Sequence, residues 1–474
     1  MRLTFYGAVR KVTGSKFLLE LDDEYRILID CGTDLDTKSD QNNENENYFG
    51  NFPFDASLIN LVLLTHAHID HSGQIPNLYV EGFEGQVLCT SPTLDLTELL
   101  LYDAASLNQN KLKKLEKIKN RSKKFRAIDS KGLFLSRQVK EAIGNFVPIA
   151  FNNRFRFKEN GYVTFIPAGH LLGAAHLLIE VMDGGVMKKI CFSGDIGREN
   201  YPLLVDPQKI PQVDYLVMES TYGRRGHYNQ ENPEDLLEEI IREACIDIPG
   251  RLIIPAFSVG RTQAMLYTLN RLYAKNVIKP IKVFTDSPLA KASTKVYEKY
   301  SKSLNTAARE FKEDNDLLFD FENLIYLESD KASREISNHG EPCVIISSSG
   351  MIQGGRIEHH IEKNIENPYA TILLIGYATE GSIGAKLASG EIKELTINGK
   401  KLEVRARIRR IDVFSGHGDI HDLLRFISSQ EVSMLKNVFL VHGDFDSMVS
   451  FKEVLNQKGF DNVLIPELNQ SYEI

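Results

Sequence analysis

The segment Thr65-His66-Ala67-His68-Ile69-Asp70-His71-Ser72-Gly73 places three imidazoles and a carboxylate close together, directly after the apolar run Leu61-Val62-Leu63-Leu64. A strand that runs into a loop can aim such side chains at one point. Imidazole nitrogen and carboxylate oxygen form a borderline-soft donor set that suits zinc without any cysteine. Four more residues of the same type stand at the ends of short apolar runs beside glycine. Asp30 follows Ile27-Leu28-Ile29 and precedes Cys31-Gly32, and His170 follows Pro167-Ala168-Gly169. Asp195 follows Ser193-Gly194, and His442 follows Phe439-Leu440-Val441. Together with the first segment they supply enough nitrogen and oxygen donors for two ions, so a dinuclear site is expected.

The elements that must position these donors read as short strands in the first part of the chain: Arg2 to Tyr6, Lys16 to Leu21, Tyr25 to Ile29 and Leu58 to Leu64. The polar stretch from Ser39 to Asn47 can bury almost nothing and reads as a surface loop. A helical pattern from about Asp95 to Asn145 contains Lys111 to Arg126, with nine basic residues and one acidic one. Strands resume at Val163 to Ile166, His176 to Val181, Lys189 to Phe192 and Tyr215 to Met218. After Gly223 the grammar becomes apolar strand, small-residue loop, amphipathic helix, the habit of a parallel α/β sheet. Strands at Leu252 to Phe257, Lys282 to Thr285, Cys343 to Ile346 and Thr371 to Ile375 each lead into such a loop. The closing stretch returns to strand and turn. The simplest organisation is one domain, residues 1–222 and 396–474, interrupted by another, residues 223–395.

Composition narrows the function classes. The 474 residues carry 56 Lys+Arg against 64 Asp+Glu, a formal charge of −8, so a polyanionic partner must be met by local patches. No apolar run approaches the roughly 20 residues of a membrane span. The N-terminal strand pattern lacks the long apolar region of an export signal. Five dispersed cysteines without a C-x-x-C pattern fit neither a disulfide framework nor a cysteine zinc site, and a reducing cytoplasm is expected.

The ordered array of Asp30, the His66-to-His71 segment, His170 and Asp195 resembles the metallo-β-lactamase fold, and the continuation resembles its β-CASP branch of nucleases. The strings that carry the resemblance are Val12-Thr13-Gly14-Ser15, Ala168-Gly169-His170-Leu171-Leu172-Gly173-Ala174-Ala175, Gly194-Asp195 and Glu219-Ser220-Thr221-Tyr222-Gly223. Further along come Pro255-Ala256-Phe257-Ser258-Val259-Gly260-Arg261, Ser349-Gly350-Met351, Gly354-Gly355-Arg356, Ser415-Gly416-His417 and Val441-His442-Gly443. Within that branch the chain is most similar to bacterial and archaeal relatives of the endonuclease that cleaves pre-messenger RNA at its 3′ end. The fold implied is an α/β one: an αββα sandwich with an inserted β-CASP domain, a parallel sheet flanked by helices.

The resemblance implies two zinc ions per chain, with manganese as an alternative. One would be held by His66, His68, His170 and Asp195, the other by Asp70, His71, His442 and the shared Asp195, with Asp30 orienting the cluster. Paired ions about 3.5–4 Å apart can hold a bridging hydroxide and clamp a phosphate oxygen during in-line displacement. The catalytic residues implied are Asp70, His417 as general acid, and Glu219, which would hold His417 and keep it charged. Two departures from the family pattern are Asp103-Ala104-Ala105, where Asp-Ser-Ala is common, and Arg224-Arg225-Gly226-His227, where an Asp is common. Neither falls on an implied metal ligand.

For substrate grip, Ser347, Ser348, Ser349 and Gly350 form a strand-to-helix loop able to cradle a phosphate. Arg261 and Arg356 would add guanidinium contacts. Lys111 to Arg126 and the cluster Arg405, Arg407, Arg409 and Arg410 are candidate electrostatic tracks. No RNA-binding segment is expected beyond His442. The leading expectation is a zinc-dependent phosphodiesterase acting on single-stranded RNA in a cleft between domains, endonucleolytic and able to work also from the 5′ end. Two alternatives stand beside it: a hydrolase of small esters or thioesters, and a non-catalytic nucleic-acid-binding scaffold. Assembly as a homodimer is left open.

Overall fold

The computed structural model describes residues 1–21, 24–35, 52–121, 132–227, 232–279, 281–352, 354–376, 382–390 and 392–474. The expected polar loop at Ser39 to Asn47 and the end of the basic run beyond Arg121 lie outside these residues. The chain divides into two compact units. The first holds Met1–Glu199, Asp206–Gly226 and His417–Ile474; the second holds Asn200–Val205 and His227–Gly416.

In the first unit two seven-stranded sheets are present among the described residues. One contains, in spatial order, Gln470–Glu473, Arg2–Phe5, Phe17–Glu20, Arg26–Ile29, Leu61–Leu63, Gln86–Cys89 and Phe146–Pro148. The other runs Val463–Leu464, Asn437–Val441, Tyr215–Glu219, Val186–Phe192, Ala175–Asp183, Gly161–Pro167 and Arg154–Lys158. Strand Ala175–Asp183 shows how two-residue alternation builds the layers. Ala175, Leu177, Ile179 and Val181 point into the core between the sheets, where they meet Phe5, Phe17 and Phe439. Leu178 points the other way, beneath Leu423, Phe426 and Phe451 of the covering helices. The outer face of the first sheet is covered in turn through Ile75, Leu78 and Ala142. Helix, sheet, sheet and helix thus form the αββα sandwich.

Strands Arg26–Ile29, Leu61–Leu63 and Gln86–Cys89 run parallel, as do Val186–Phe192, Tyr215–Glu219 and Asn437–Val441. Their carboxyl ends carry Asp30, the His66-to-His71 segment, Asp195, Glu219 and His442, which is where open α/β sheets bind ligands. The 58–64 stretch is shorter as a strand than its sequence reads, because Asp55 caps a 3-10 turn at Ala56–Leu58 and pairing begins only at Leu61.

The second unit is built on a six-stranded sheet in the order Leu324–Tyr326, Lys282–Asp286, Cys343–Ser347, Arg251–Pro255, Ala370–Ile375 and Arg407–Ile411, every pairing parallel. Strands Cys343–Ser347 and Ala370–Ile375 are buried along their whole length, as a parallel sheet covered on both faces requires. Two strands go beyond the four expected. One of them, Arg407–Ile411, pairs with Ala370–Ile375, and the second compact unit takes it in, ending at Gly416. The stretch is highly charged and reads poorly as a buried strand; as an edge strand it keeps one side for its arginines.

Candidate metal centre and catalytic pair

Backbone packing first brings the donor-bearing loops together. Gly32 meets the turn that carries Asp70 so closely that a Cβ there would stand 1.6 Å from the Asp70 carbonyl oxygen. Cys31 N–H donates to the His71 carbonyl at 2.7 Å and Ser15 N–H to the Asp70 carbonyl at 2.9 Å. Asp30 and His442 both hold left-handed backbones, at φ 57° and 49°. For residues other than glycine this is uncommon and costs about 1–3 kcal/mol each, which surrounding contacts must offset. Asp30 provides such contacts: its two carboxylate oxygens accept from Thr65 N and Thr65 Oγ1, both at 2.8 Å, and Oδ2 also stands 2.7 Å from His71 Nδ1.

With His71 Nδ1 held by Asp30, its Nε2 faces Asp195 Oδ1 at 3.3 Å and Asp70 Oδ2 at 4.0 Å. His442 Nε2 stands 3.5 Å from Asp70 Oδ2. On the other side of Asp195, its Oδ2 lies 3.5 Å from His66 Nε2 and 3.4 Å from His170 Nε2. Both of those nitrogens stand 3.1 Å from His68 Nδ1. Among the described residues three groups emerge, His66, His68, His170 and Asp195, then Asp70, His71 and His442, then Asp195, His417 and His442, each with its donor atoms within 4.8 Å of one another. Donors bound at 2.0–2.1 Å around a tetrahedral zinc stand about 3.3 Å apart, and the separations in the first group scatter around that figure. The residues therefore fit a divalent metal.

Electrostatics divide the histidines: burial lowers His71, but the carboxylates of Asp195 and Asp30 outweigh it and hold this imidazole well above the ordinary range. Burial pushes His66 well below the ordinary imidazole range and His68 down to about 4, leaving neutral nitrogens to serve as donors. Burial opposes ionisation of Asp195, but the surrounding histidines, His442 and His71 foremost, hold it well below the usual carboxylate range. For Asp70 burial is likewise outweighed, by the His442 hydrogen bond and the His71 charge, and its carboxyl is held to about 2.

Beside the donors stands a pair of a different kind. Glu219 is fully buried at the end of its strand, with Oε1 accepting from Ile196 N–H at 2.6 Å and Oε2 from Thr221 N–H at 3.3 Å. His417 Nδ1 lies 3.1 and 3.2 Å from the two oxygens, and its Nε2 points toward Asp195 Oδ2 at 3.8 Å. The imidazole is 14% exposed against 2% for Asp195, with Nδ1 anchored on Glu219.

The structure thus brings together Asp30, His66, His68, Asp70, His71, His170, Asp195, Glu219, His417 and His442. Sequence reasoning missed Thr65 and Thr221, hydroxyls adjoining donor residues; their positions inside the Thr65-His66 and Glu219-Ser220-Thr221 strings were the available signal. The expected substrate arginines fare differently. Arg261 is almost buried, donating from NH1 to the Ile375 carbonyl at 3.0 Å and lying over the Phe257 ring. Arg356 gives its guanidinium to Asp286 at 2.8 Å, Asp330 and the carbonyls of Leu327 and Glu328. Both guanidiniums thus have partners within the inserted unit. Ser347 is also buried, its hydroxyl donating to the Asp286 carbonyl, while Ser348, Ser349 and Gly350 are partly exposed. Arg405, Arg407 and Arg409 are paired with Glu403, Glu243 and Glu239, which weakens the expected basic track. Lys111, Lys113 and Lys114 are solvated on helix Ser91–Arg121.

Residues 18–190 match a metallo-β-lactamase superfamily domain, 262–387 a Beta-Casp domain, and 401–466 a Zn-dependent metallo-hydrolase RNA specificity domain. The last match takes in the arginine cluster from Arg405 to Arg410 and extends past His442. The chain is similar to ribonuclease TTHA0252 of Thermus thermophilus, 30% identical over 460 residues and 97% of each chain. It is also similar to the RNase J-like protein of Methanocaldococcus jannaschii, 30% identical over 95% of this chain and 94% of the relative. A third relative, the transcription termination factor FttA of Methanosarcina mazei, is 30% identical over 97% of this chain and 69% of its own length. Among the described residues no helix is long and apolar enough to cross a membrane. With that sandwich, that insert and that donor cluster, the chain belongs to the β-CASP ribonuclease family of metal-dependent hydrolases acting on RNA.

Proposed function

We propose that the chain is a zinc-dependent phosphodiesterase that cleaves single-stranded RNA internally and also removes nucleotides from a 5′ end. The observation that carries this reading is the convergence of His66, His68, His170 and Asp195 in one group and Asp70, His71 and His442 in another, beside a Glu219–His417 pair. His66, His68, His170 and Asp195 would hold one ion, and Asp70, His71, His442 and Asp195 the other. When bound, the ions supply an ionised water and neutralise charge on the phosphate.

The chain's own groups do the rest. Asp30 orients His71 through Nδ1, and Thr65 braces Asp30. Glu219 holds His417 by Nδ1, so that Nε2 delivers a proton to the departing ribose oxygen. Ser348, Ser349 and Gly350 offer hydroxyl and N–H groups for a backbone phosphate of the substrate. A small-ester hydrolase would have no use for an RNA-specificity segment, and a scaffold would not need every donor position filled.

The reading is tested with 5′-labelled and internally labelled single-stranded RNA beside matched DNA, together with elemental counting of the purified protein. RNA fragments from internal positions with two zinc equivalents support it. Equal cleavage of DNA, or a fully loaded protein holding fewer than two ions, refutes it.

A further inference from the structure

Metal-binding histidines usually donate their second ring N–H to a neighbour that fixes the tautomer. His71 has Asp30 for this purpose. Among the described residues His442 has no carboxylate at Nδ1 within hydrogen-bonding distance, Asp195 Oδ1 being 3.6 Å away, and a hydroxyl stands there instead. The parallel register sets Glu219 opposite Val441, which carries the next residues of the two chains out side by side. Thr221, almost fully buried, therefore reaches His442 twice: its Oγ1 lies 3.0 Å from the His442 carbonyl oxygen and 3.1 Å from His442 Nδ1.

A hydroxyl has one proton, and a carbonyl oxygen can only accept. Both contacts are attractive in a single arrangement, with Thr221 Oγ1–H donating to the carbonyl and Nδ1–H donating to Oγ1. The opposite tautomer would face the hydroxyl lone pairs with the carbonyl oxygen at 3.0 Å. We infer that Thr221 is a positioning residue for the second metal ion: its hydroxyl locks His442 with the proton on Nδ1 and the Nε2 lone pair aimed toward Asp70. The same hydroxyl braces the left-handed backbone of His442, together with Ser220 N–H on the carbonyl at 3.2 Å and the His442 N–H on the Ala8 carbonyl at 2.8 Å. Because Thr221 N–H also donates to Glu219 Oε2, one residue ties the metal-facing histidine to the carboxylate that anchors His417.

The inference rests on the reading of His442 as a metal ligand, and the test separates the two. Zinc binding to the full chain is measured by equilibrium dialysis in metal buffers with elemental counting, for the wild type, Thr221→Val, Thr221→Ala, Thr221→Ser and His442→Ala. Val keeps the shape and removes the hydroxyl; Ala repeats the deletion without a branched side chain, should Val fail to fold. Removing an outer partner of a ligand lowers metal affinity about 10–100-fold. That loss is expected for one of the two ions in the Val and Ala variants, with the other ion held as in the wild type, activity regained at raised free zinc, and affinity restored by Ser. Wild-type affinity for both ions in Thr221→Val or Thr221→Ala, or a Ser variant as weak as Ala, overturns the role of Thr221. If His442→Ala itself keeps two ions, the ligand reading fails and the inference falls with it.

Discussion

Replacing His417 by Ala separates proton delivery from metal binding. Its Nδ1 is anchored to both oxygens of a fully buried Glu219, and its Nε2 stands 3.8 Å from Asp195, so deletion removes an anchored donor while leaving the four-residue metal group intact. General acid catalysis contributes about 10²–10⁴-fold, which is about 2.7–5.4 kcal/mol of barrier at 1.36 kcal/mol per tenfold. That loss is expected for RNA, whose departing ribose oxygen is a poor leaving group. Bis(p-nitrophenyl) phosphate releases a stabilised phenolate that needs little protonation, so its hydrolysis should fall by less than about tenfold on the same grounds. Single-turnover rates on both substrates, with zinc counted in each preparation, form the assay. An equal loss on the two substrates would refute proton delivery by His417, as would wild-type cleavage of RNA. Glu219→Gln should reproduce the pattern more weakly, since an amide can retain the contact with Ile196 N–H but loses the charge that steadies His417.

Asp195→Ala removes the carboxylate between both donor groups, and turnover should disappear together with metal, read as below one zinc equivalent per chain by elemental counting. Arg356→Ala strands Asp286, a carboxylate at 0% exposure, without its guanidinium partner. Breaking a buried pair in this way costs about 3–5 kcal/mol. Discounted for the 20% exposure of Arg356, a loss of about 2–4 kcal/mol is expected in urea denaturation; a weaker grip on RNA with unchanged stability would instead return Arg356 to the substrate. Asp286 also sets a pH dependence. Burial resists its ionisation, but hydrogen bonds from His360, Ser333 and Arg356 hold its folded-state value below the ordinary one. A depressed carboxyl stabilises the fold above the unfolded value near 3.9 and loses that contribution as pH falls through the folded value. Asp286→Asn should therefore flatten the acid limb of the denaturation midpoint against pH, and an unchanged limb would contradict this.

What could be read from the chain beforehand depended on how local the determining physics is. His66, His68, Asp70 and His71 sit within one turn of backbone after a strand, and Asp30, Asp195 and His442 each end an apolar run, so alternation and strand termini locate them without tertiary information. The arginines show the limit. A guanidinium in a Gly-Arg string reads as a phosphate ligand, yet the partner of Arg356 lies 70 residues away at the end of another strand, and that of Arg261 is a carbonyl 114 residues on. Nothing in their local sequence registers those partners. Arg407–Ile411 shows a related limit: it is basic enough to look solvated, and only its pairing with Ala370–Ile375 and the facing Glu239 and Glu243 make it part of that sheet.

Thr221 belongs to the same class as the arginines but acts in the opposite sense. Its hydroxyl becomes informative only once the register of two parallel strands sets it against His442, 221 residues later in the chain. Donor identity was therefore legible where the chain ends a strand, whereas donor orientation was not, because the groups that select a ring nitrogen come from elsewhere. Asp30 and His442, the two donor-region residues with left-handed backbones, are each fixed by a threonine. At His442 the Thr221 hydroxyl meets both the carbonyl of the strained residue and the imidazole it aims, whereas at Asp30 the Thr65 hydroxyl holds the carboxylate that in turn aims His71.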